Sequence, residues 1–207
     1  MADFYFIAGP NGAGKSTNIE YLKNLGVVPA NNFHINTDKI LSEEFSRFEK
    51  NNDLLVQVNA YVGNIERQLQ ADKANYSKET NFHKQEQISE CFRLKNFGYN
   101  VNLVYVNIGD PDLCSVRVNQ RVKQGGHFVD PITVKDRYEK GLSNIISHYK
   151  KFDNVYVLNN SQKPEVLFKV EQNQLIKIAE KLPQWSEKLF KEIELRENMY
   201  KRKGFSL

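Results

Sequence analysis

Hydrophobic positions along this chain alternate between short continuous runs and stripes spaced by three or four residues. The first run, Phe-Tyr-Phe-Ile-Ala over 4–8, predicts a buried strand. Ile19, Leu22 and Leu25 then follow at helical spacing and predict a helix over 17–25. This alternation continues as far as residue 158, which is typical of α/β folds built on a parallel sheet.

The same patterns locate the remaining elements. Further strands are predicted at 33–36, 75–80, 100–108 and 154–158. Helices are predicted at 38–48, at 54–69 after a break and cap at 51–53, at 83–96, from Pro111 with Asp110 as its cap, and at 131–149. Beyond Pro164, residues 166–170 and 175–179 predict a β-hairpin, and Pro183 begins a C-terminal helix.

The segment between the first strand and the first helix has the phosphate-loop pattern G-x-x-x-x-G-K-[ST], from Gly9 to Ser16. Its glycines allow backbone N–H groups to point into one concavity, where the start of the helix adds its positive dipole end. We expect Lys15 to reach the β- and γ-phosphates of ATP, Ser16 to ligate Mg²⁺ and Thr17 to reach the α-phosphate. The predicted nucleotide-binding residues are Gly9, Asn11, Gly12, Ala13, Gly14, Lys15, Ser16 and Thr17.

These elements predict the three-layer α/β fold of P-loop NTPases and kinases. We expect a five-stranded, mainly parallel sheet, a helical lid, and a C-terminal β-hairpin plus helix. A kinase core would span 1–163 with its lid at about 117–137, and the hairpin and helix at 164–207 would be appended to the same domain.

Composition narrows the range of partners. The net charge of +4 and the pI near 8.9 suit a polyanionic substrate, but basic and aromatic residues are not interleaved as in nucleic-acid sites. The basic residues at 201–203 are interpreted as a solvated terminus.

Cys91 and Cys114 are too few for a disulfide framework or metal cluster. With no secretory signal and no apolar run near the ~20 residues that cross a bilayer, we expect a cytoplasmic protein without a membrane partner.

Polar side chains follow the second and third strands, where an open parallel sheet has its crevice. Asp38 is expected to be the general base that accepts a proton from an attacking hydroxyl. The alternative is that Asp38 is only an N-cap, and the two roles can coexist. Glu79 is expected to orient a substrate or hold Mg²⁺ through water, with Thr80 and Asn81 as hydrogen-bonding partners. The alternative for Thr80 or Asn81 is capping of the next helix.

Arginines flank a Gly-Gly break between the two helices after the fourth strand. Arg117 and Arg121 lie on one helix, Gly125-Gly126 and His127 follow, and Arg137 lies on the next helix. This arrangement predicts a lid whose arginines stabilise a transferring phosphate, and Arg121 and Arg137 are the favoured catalytic residues. Arg117 is left open as surface charge. Residues 159–161, after the fifth strand, are expected near the adenine, with a simple polar turn as the alternative.

The chain resembles the zeta toxin family of P-loop kinases. The resemblance rests on residues 9–17, Asn36-Thr37-Asp38, Glu79-Thr80 and the arginine-rich lid from Arg117 to Tyr138. It implies an ATP- and Mg²⁺-dependent kinase whose first candidate acceptor is UDP-N-acetylglucosamine. Asp38 would then be the base, Lys15 and the lid arginines would stabilise the phosphates, and Thr37, Glu79 and Thr80 would bind the substrate. An antitoxin partner is compatible with the resemblance but is not readable from the residues.

Two alternatives remain open at this stage. One is a metabolite or nucleoside kinase of the gluconate or shikimate type. The other is a nucleotide-dependent switch ATPase that acts through a protein partner. That second alternative needs an aspartate after an apolar strand to hold Mg²⁺, for which Asp110 is the candidate.

Overall fold

The strands form one mixed sheet. The structure, a computed structural model, describes residues 1–45 and 52–202. Within them the strand order is β2-β3-β1-β4-β5-β6-β7. The strands are β1 Ala2–Ala8, β2 Phe33–Ile35, β3 Tyr76–Thr80, β4 Tyr99–Asn107, β5 Asn154–Asn159, β6 Glu165–Glu171 and β7 Gln174–Lys177.

The first five strands are parallel, as predicted, and the C-terminal hairpin extends the sheet instead of standing apart from it. β6 pairs antiparallel with β5, and β7 pairs antiparallel with β6. The sheet therefore has seven strands where the prediction had five strands and a separate hairpin. The mixed α/β class and the mainly parallel sheet are confirmed.

The helices lie close to their predicted positions. They are α1 Ile19–Asn24 after a 3₁₀ turn at Ser16–Asn18, α2 Thr37–Glu44, α3 Asn52–Ala71, α4 Glu86–Asn96, α5 Pro111–Lys123, α6 Pro131–His148 and α7 Gln184–Arg202. α4 begins at Glu86, three residues later than predicted, with Gln85 at its N-cap position. The predicted helix end at Phe48, the break at Asn51 and the side chains at 201–203 lie outside the described residues.

Helices cover both faces of the sheet because alternate strand residues are apolar on each face. Phe4 and Phe6 of β1 belong to a large hydrophobic cluster that α3, α4, α6 and α7 complete. Tyr5 and Ile7 point the other way, into a smaller cluster that α1 completes with Ile19 and Leu22. The result is the predicted three-layer arrangement. Among the described residues, no helix combines the length and hydrophobicity that crossing a membrane requires.

The C-terminal helix α7 contacts the core near both of its ends. Near its start, Trp185 packs so closely on Gly109 that a Cβ at position 109 would overlap the indole ring. Towards its other end, the buried Glu197 accepts a 2.6 Å hydrogen bond from the Tyr149 hydroxyl and lies 3.1 Å from Lys150 Nζ. α7 is therefore held against the loop before α5 and against the end of α6.

The register of the parallel strands brings their carboxyl ends to one edge. Ala8 of β1 pairs with Thr80 of β3 on one side and Tyr105 of β4 on the other. Asn107 of β4 pairs with Asn159 of β5. The loops that follow β1, β2, β3, β4 and β5 therefore meet at this edge, which is where open parallel sheets bind ligands.

Candidate functional site

The loops at the carboxyl edge of the sheet enclose a cleft of about 710 Å³. Of the predicted site residues, the cleft is lined by Asn11, Gly12, Gly14, Lys15, Ser16, Thr17, Thr37, Asp38, Glu79, Thr80, Arg121 and Arg137. Gly9 and Ala13 lie behind this lining: Ala13 is fully buried, and a side chain on Gly9 would overlap the carbonyl oxygen of Val106. The structure thus places almost the whole predicted set around one space.

The phosphate loop needs glycine at positions 12 and 14. Gly12 has φ +81° and lies against the carbonyl oxygen of Cys114, and Gly14 has φ +87° and lies against the side chain of Asn160. Asn160 also donates from Nδ2 to the carbonyl oxygen of Ala13 at 2.8 Å. Within the described residues, the backbone N–H groups of Gly14 and Lys15 have no internal acceptor, so they are available to an anion.

Replacing Gly12 with alanine should destabilise the protein and abolish nucleotide binding. The left-handed φ costs roughly 1–2 kcal/mol in any L-residue, and overlap with the backbone of α5 adds about 1–3 kcal/mol. Gly26→Ala is the matched control, because Gly26 also has a positive φ (+69°) but open space around its Cα. Denaturant unfolding and ADP titration measure both effects. Equal losses of stability in the two variants would contradict the predicted overlap.

The Lys15 ammonium is held over the loop by oxygen atoms. Nζ donates to the carbonyl oxygens of Gly9 at 2.8 Å and Pro10 at 3.1 Å, and to Asn81 Oδ1 at 3.3 Å. Burial lowers the pKa of Lys15 to about 8, although the carboxylates of Glu79 and Asp38 act to raise it. A phosphate group in the cleft would favour the charged form of this lysine.

Ser16 and Glu79 are joined by Asn36. The Asn36 amide Nδ2 lies 3.0 Å from Ser16 Oγ and 2.8 Å from Glu79 Oε1, while its oxygen accepts from Lys39 N. Burial acts to raise the pKa of Glu79, but hydrogen bonds from His34 and Ser16 and the charge of Lys15 outweigh it and lower that pKa. A hydroxyl and an ionised carboxylate therefore lie side by side beneath the loop.

Asp38 is not the N-cap that the alternative interpretation required. The cap of α2 is Asn36, so Asp38 lies in the first turn with its side chain 62% exposed in the cleft. Asp38 Oδ2 is 3.7 Å from Arg121 Nη1, and Arg121 also donates to the carbonyl oxygen of His127 at 3.4 Å. The Asp38 carboxylate is thus free of helix capping and faces the lid.

The alternative that Thr80 or Asn81 caps the next helix is also wrong, and so is the alternative that Arg117 is ordinary surface charge. α4 begins at Glu86, and Thr80 Oγ1 instead accepts from Phe82 N at 3.1 Å. Arg117 is not loose surface charge: it donates to the carbonyl oxygens of Asn160 and Ser161, both at 3.1 Å. These bonds attach the lid helix α5 to the loop after β5.

The second lid arginine reaches the phosphate loop directly. Arg137 of α6 donates from Nη1 to Asn11 Oδ1 at 2.8 Å. Asp110 does not face this centre, because its carboxylate caps α5 by accepting from Asp112 N and Leu113 N. Among the described residues there is no cluster of three or more His, Cys, Asp or Glu side chains, so a cation here would depend on few protein ligands.

No protein-family model matches this chain, and no curated protein matches it either. Solved structures do share its fold. A structure from the PezAT chromosomal toxin–antitoxin system of Streptococcus pneumoniae is 16% identical with a TM-score of 0.64, over 96% of this chain and 87% of that one. The AvrRxo1-ORF1:-ORF2 complex with ATP is 14% identical with a TM-score of 0.64, over 93% of this chain and 63% of that one.

A third neighbour is a putative kinase from Chloroflexus aurantiacus, 13% identical with a TM-score of 0.51, over 68% of this chain and 76% of that one. The predicted α/β fold is therefore shared with solved structures from a toxin–antitoxin system and of a protein described as a putative kinase. Because these structures are only 13–16% identical to the chain, they confirm the resemblance at the level of the fold.

Proposed function

We propose that the protein is an ATP-dependent kinase that transfers the γ-phosphate to a hydroxyl of a small molecule. The observation that carries the proposal is the convergence, in one cleft, of a phosphate loop, an exposed carboxylate and two lid arginines. Asp38 faces the lid and does not cap a helix. A kinase needs a general base at this position, whereas a protein that only binds a nucleotide has no evident use for one.

The donor half of the site is the phosphate loop with Lys15 and Ser16. Free N–H groups of the loop and the Lys15 ammonium would bind the β- and γ-phosphates of ATP. The donor set fits Mg²⁺, a hard cation that prefers oxygen ligands and retains waters, because the Ser16 hydroxyl and the ionised Glu79 carboxylate lie together. Mg²⁺ bound there would neutralise phosphate charge during transfer.

The acceptor half is formed by Asp38 and the lid. Asp38 would take the proton from the acceptor hydroxyl as its oxygen bonds to the γ-phosphorus, while the bond from that phosphorus to the departing ADP oxygen breaks. Arg121 and Arg137 would place fixed positive charge on the phosphoryl oxygens. Arg121 already contacts Asp38, and Arg137 already contacts the loop, so the lid is attached to both halves.

The first candidate acceptor is UDP-N-acetylglucosamine, with Thr37, Glu79 and Thr80 as its binding residues. The support is the resemblance to zeta toxins and the similarity to the PezAT structure, which is described as part of a toxin–antitoxin system. On the same ground we propose a protein partner of the antitoxin type and a cytoplasmic site of action, where ATP is supplied. Co-purification from native cells would test the partner.

Mass spectrometry tests the kinase assignment. The protein is incubated with ATP, Mg²⁺ and a metabolite extract, and separately with UDP-N-acetylglucosamine, gluconate, shikimate and nucleosides. We expect one species to gain one phosphate in a Mg²⁺-dependent reaction. ATP hydrolysis without any phosphorylated metabolite, accelerated by added protein, would overturn the proposal in favour of a switch. Phosphorylation of another acceptor would keep the kinase and reject only the nucleotide sugar.

A further inference from the structure

A chain of hydrogen bonds runs beneath the cleft from buried residues of the sheet to the Ser16–Glu79 pair. Asn32 Nδ2 lies 2.8 Å from Ser77 Oγ, which lies 2.8 Å from His34 Nδ1. On its other side, His34 Nε2 lies 3.0 Å from Glu79 Oε1. Ser77 is fully buried, and Asn32 is 5% exposed, so water does not compete for the inner part of the chain.

For a neutral His34 ring, donor and acceptor rules allow only one arrangement of hydrogens along this chain. An ionised Glu79 accepts but cannot donate, so the hydrogen of the neutral imidazole must be on Nε2. The Asn32 amide donates to Ser77 Oγ, and the hydroxyl hydrogen is then free to be donated to His34 Nδ1. Every contact of this chain is satisfied when His34 carries a hydrogen on Nε2, and a ring that is also protonated on Nδ1 keeps the same donor to Glu79 because Ser77 Oγ can accept from Nδ1.

This arrangement restrains the Glu79 carboxylate from two sides. Its Oε1 accepts from His34 Nε2 and, at 2.8 Å, from Asn36 Nδ2. The same Asn36 amide is 3.0 Å from Ser16 Oγ. The hydroxyl and the carboxylate are therefore held in fixed relation before any nucleotide is present, which reduces the cost of ordering them on binding.

We propose that His34 is a positioning residue: its Nε2–H, oriented by Ser77, holds the Glu79 carboxylate beside Ser16 in the geometry that binds the magnesium–nucleotide complex. This proposal rests on the proposed function. It assigns the role to a side chain of the edge strand β2 that contacts neither the loop nor the lid arginines. Partners that orient a ligand in this way typically change metal affinity or activity by about 10–100-fold when they are removed.

The competing explanation is that His34 only stabilises β2. This strand has three residues and three paired positions with β3, and a histidine bridging Ser77 and Glu79 would add to that pairing. If His34 has only a structural role, each variant should lose Mg²⁺-dependent ADP affinity in proportion to its loss of unfolding free energy. If His34 positions Glu79, the loss of Mg²⁺-dependent ADP affinity should depend on which ring nitrogen the substituted side chain replaces.

Two substitutions separate these roles. His34→Gln places an amide nitrogen near the position of Nε2 and can still donate to Glu79. His34→Asn imitates Nδ1, keeps the contact with Ser77 and removes the donor that Nε2 supplies to Glu79, leaving the one from Asn36. His148→Asn is the control, because His148 ends α6 and does not line the cleft. For each variant we would measure the unfolding free energy and the factor by which Mg²⁺ tightens ADP binding, using calorimetry with and without the metal.

We expect His34→Asn to reduce the factor by which Mg²⁺ tightens ADP binding about 10–100-fold, and to leave the affinity for metal-free ADP unchanged. His34→Gln should stay within a few-fold of the original protein in both quantities. Equal losses in both variants, or losses that follow unfolding free energy alone, would overturn the proposal. The binding readout needs no acceptor, so it stands even if no metabolite is phosphorylated.

Nitrogen-15 NMR tests the hydrogen arrangement directly. The chain has four histidines, and the His34 signals are those that disappear in His34→Gln. We expect shifts of a ring that carries a hydrogen on Nε2. A ring with a hydrogen on Nδ1 and none on Nε2 would overturn the proposal that Nε2–H holds Glu79.

Discussion

Asp38→Ala is expected to abolish phosphoryl transfer while ATP affinity stays within a few-fold of its original value. Asp38 lies in the first turn of α2, is 62% exposed and caps nothing, so its removal should leave the fold intact. Loss of a general base typically costs 10²–10⁴-fold in rate. The measurement is kcat with the identified acceptor, together with ATP titration of the same preparation.

Glu43→Ala is the matched control for this experiment. Glu43 lies on the same helix, is 59% exposed and, within the part of the chain that the structure describes, pairs with Lys39 at 3.7 Å. Its removal should leave turnover unchanged. Turnover retained within about tenfold by Asp38→Ala would reject Asp38 as the base, since the expected loss begins at about 10².

Arg137→Ala is expected to reduce kcat by about 10³–10⁵-fold, the range measured when a transition-state arginine is absent in GTPases. Arg137 is a cleaner probe than Arg121, because Arg121 lies 3.7 Å from Asp38 and its removal would also change the environment of the base. Arg137 instead contacts Asn11 of the phosphate loop at 2.8 Å. Single-turnover kinetics at saturating ATP measure the loss.

Two further variants test whether the loss in Arg137→Ala comes from the guanidinium group itself: Arg137→Lys keeps the charge, and Lys140→Ala is the control. Lysine retains the charge but not the planar fork of donors, so Arg137→Lys should recover only part of the lost rate. Lys140 lies one turn further along α6 and pairs with Asp136 at 2.8 Å, so Lys140→Ala should have no effect. If Arg137→Ala transfers phosphate within tenfold of the original rate, the lid has no catalytic arginine at this position.

The parts of this fold that could be predicted are those with a local cause. The phosphate loop was predictable because Gly12 and Gly14 meet a backbone requirement that only glycine satisfies. Strands β1, β4 and β5 were predictable because their apolar runs are typical of strands buried in a parallel sheet. Asp110 was recognisable as a cap because it directly precedes the proline that begins α5.

The parts that could not be predicted depend on contacts between distant residues. Pairing of β6 with β5 is a choice of sheet edge, which the hairpin pattern does not specify. His34 and Glu79 are 45 residues apart, and neither has a neighbour in sequence that indicates the other. Asn36 had a usable signal: an Asx residue directly before the first helical turn is a better cap than Asp38, two residues later.

Trp185 has a practical consequence for studies in solution. It is the only tryptophan of the chain, and its ring lies directly on Gly109, immediately before the residue that caps α5. Tryptophan emission depends on the polarity around the indole, so unlabelled protein carries an optical reporter at the base of its lid. Fluorescence titrations with ADP and ATP can follow rearrangement of this region in real time, with no dye attached to the cleft.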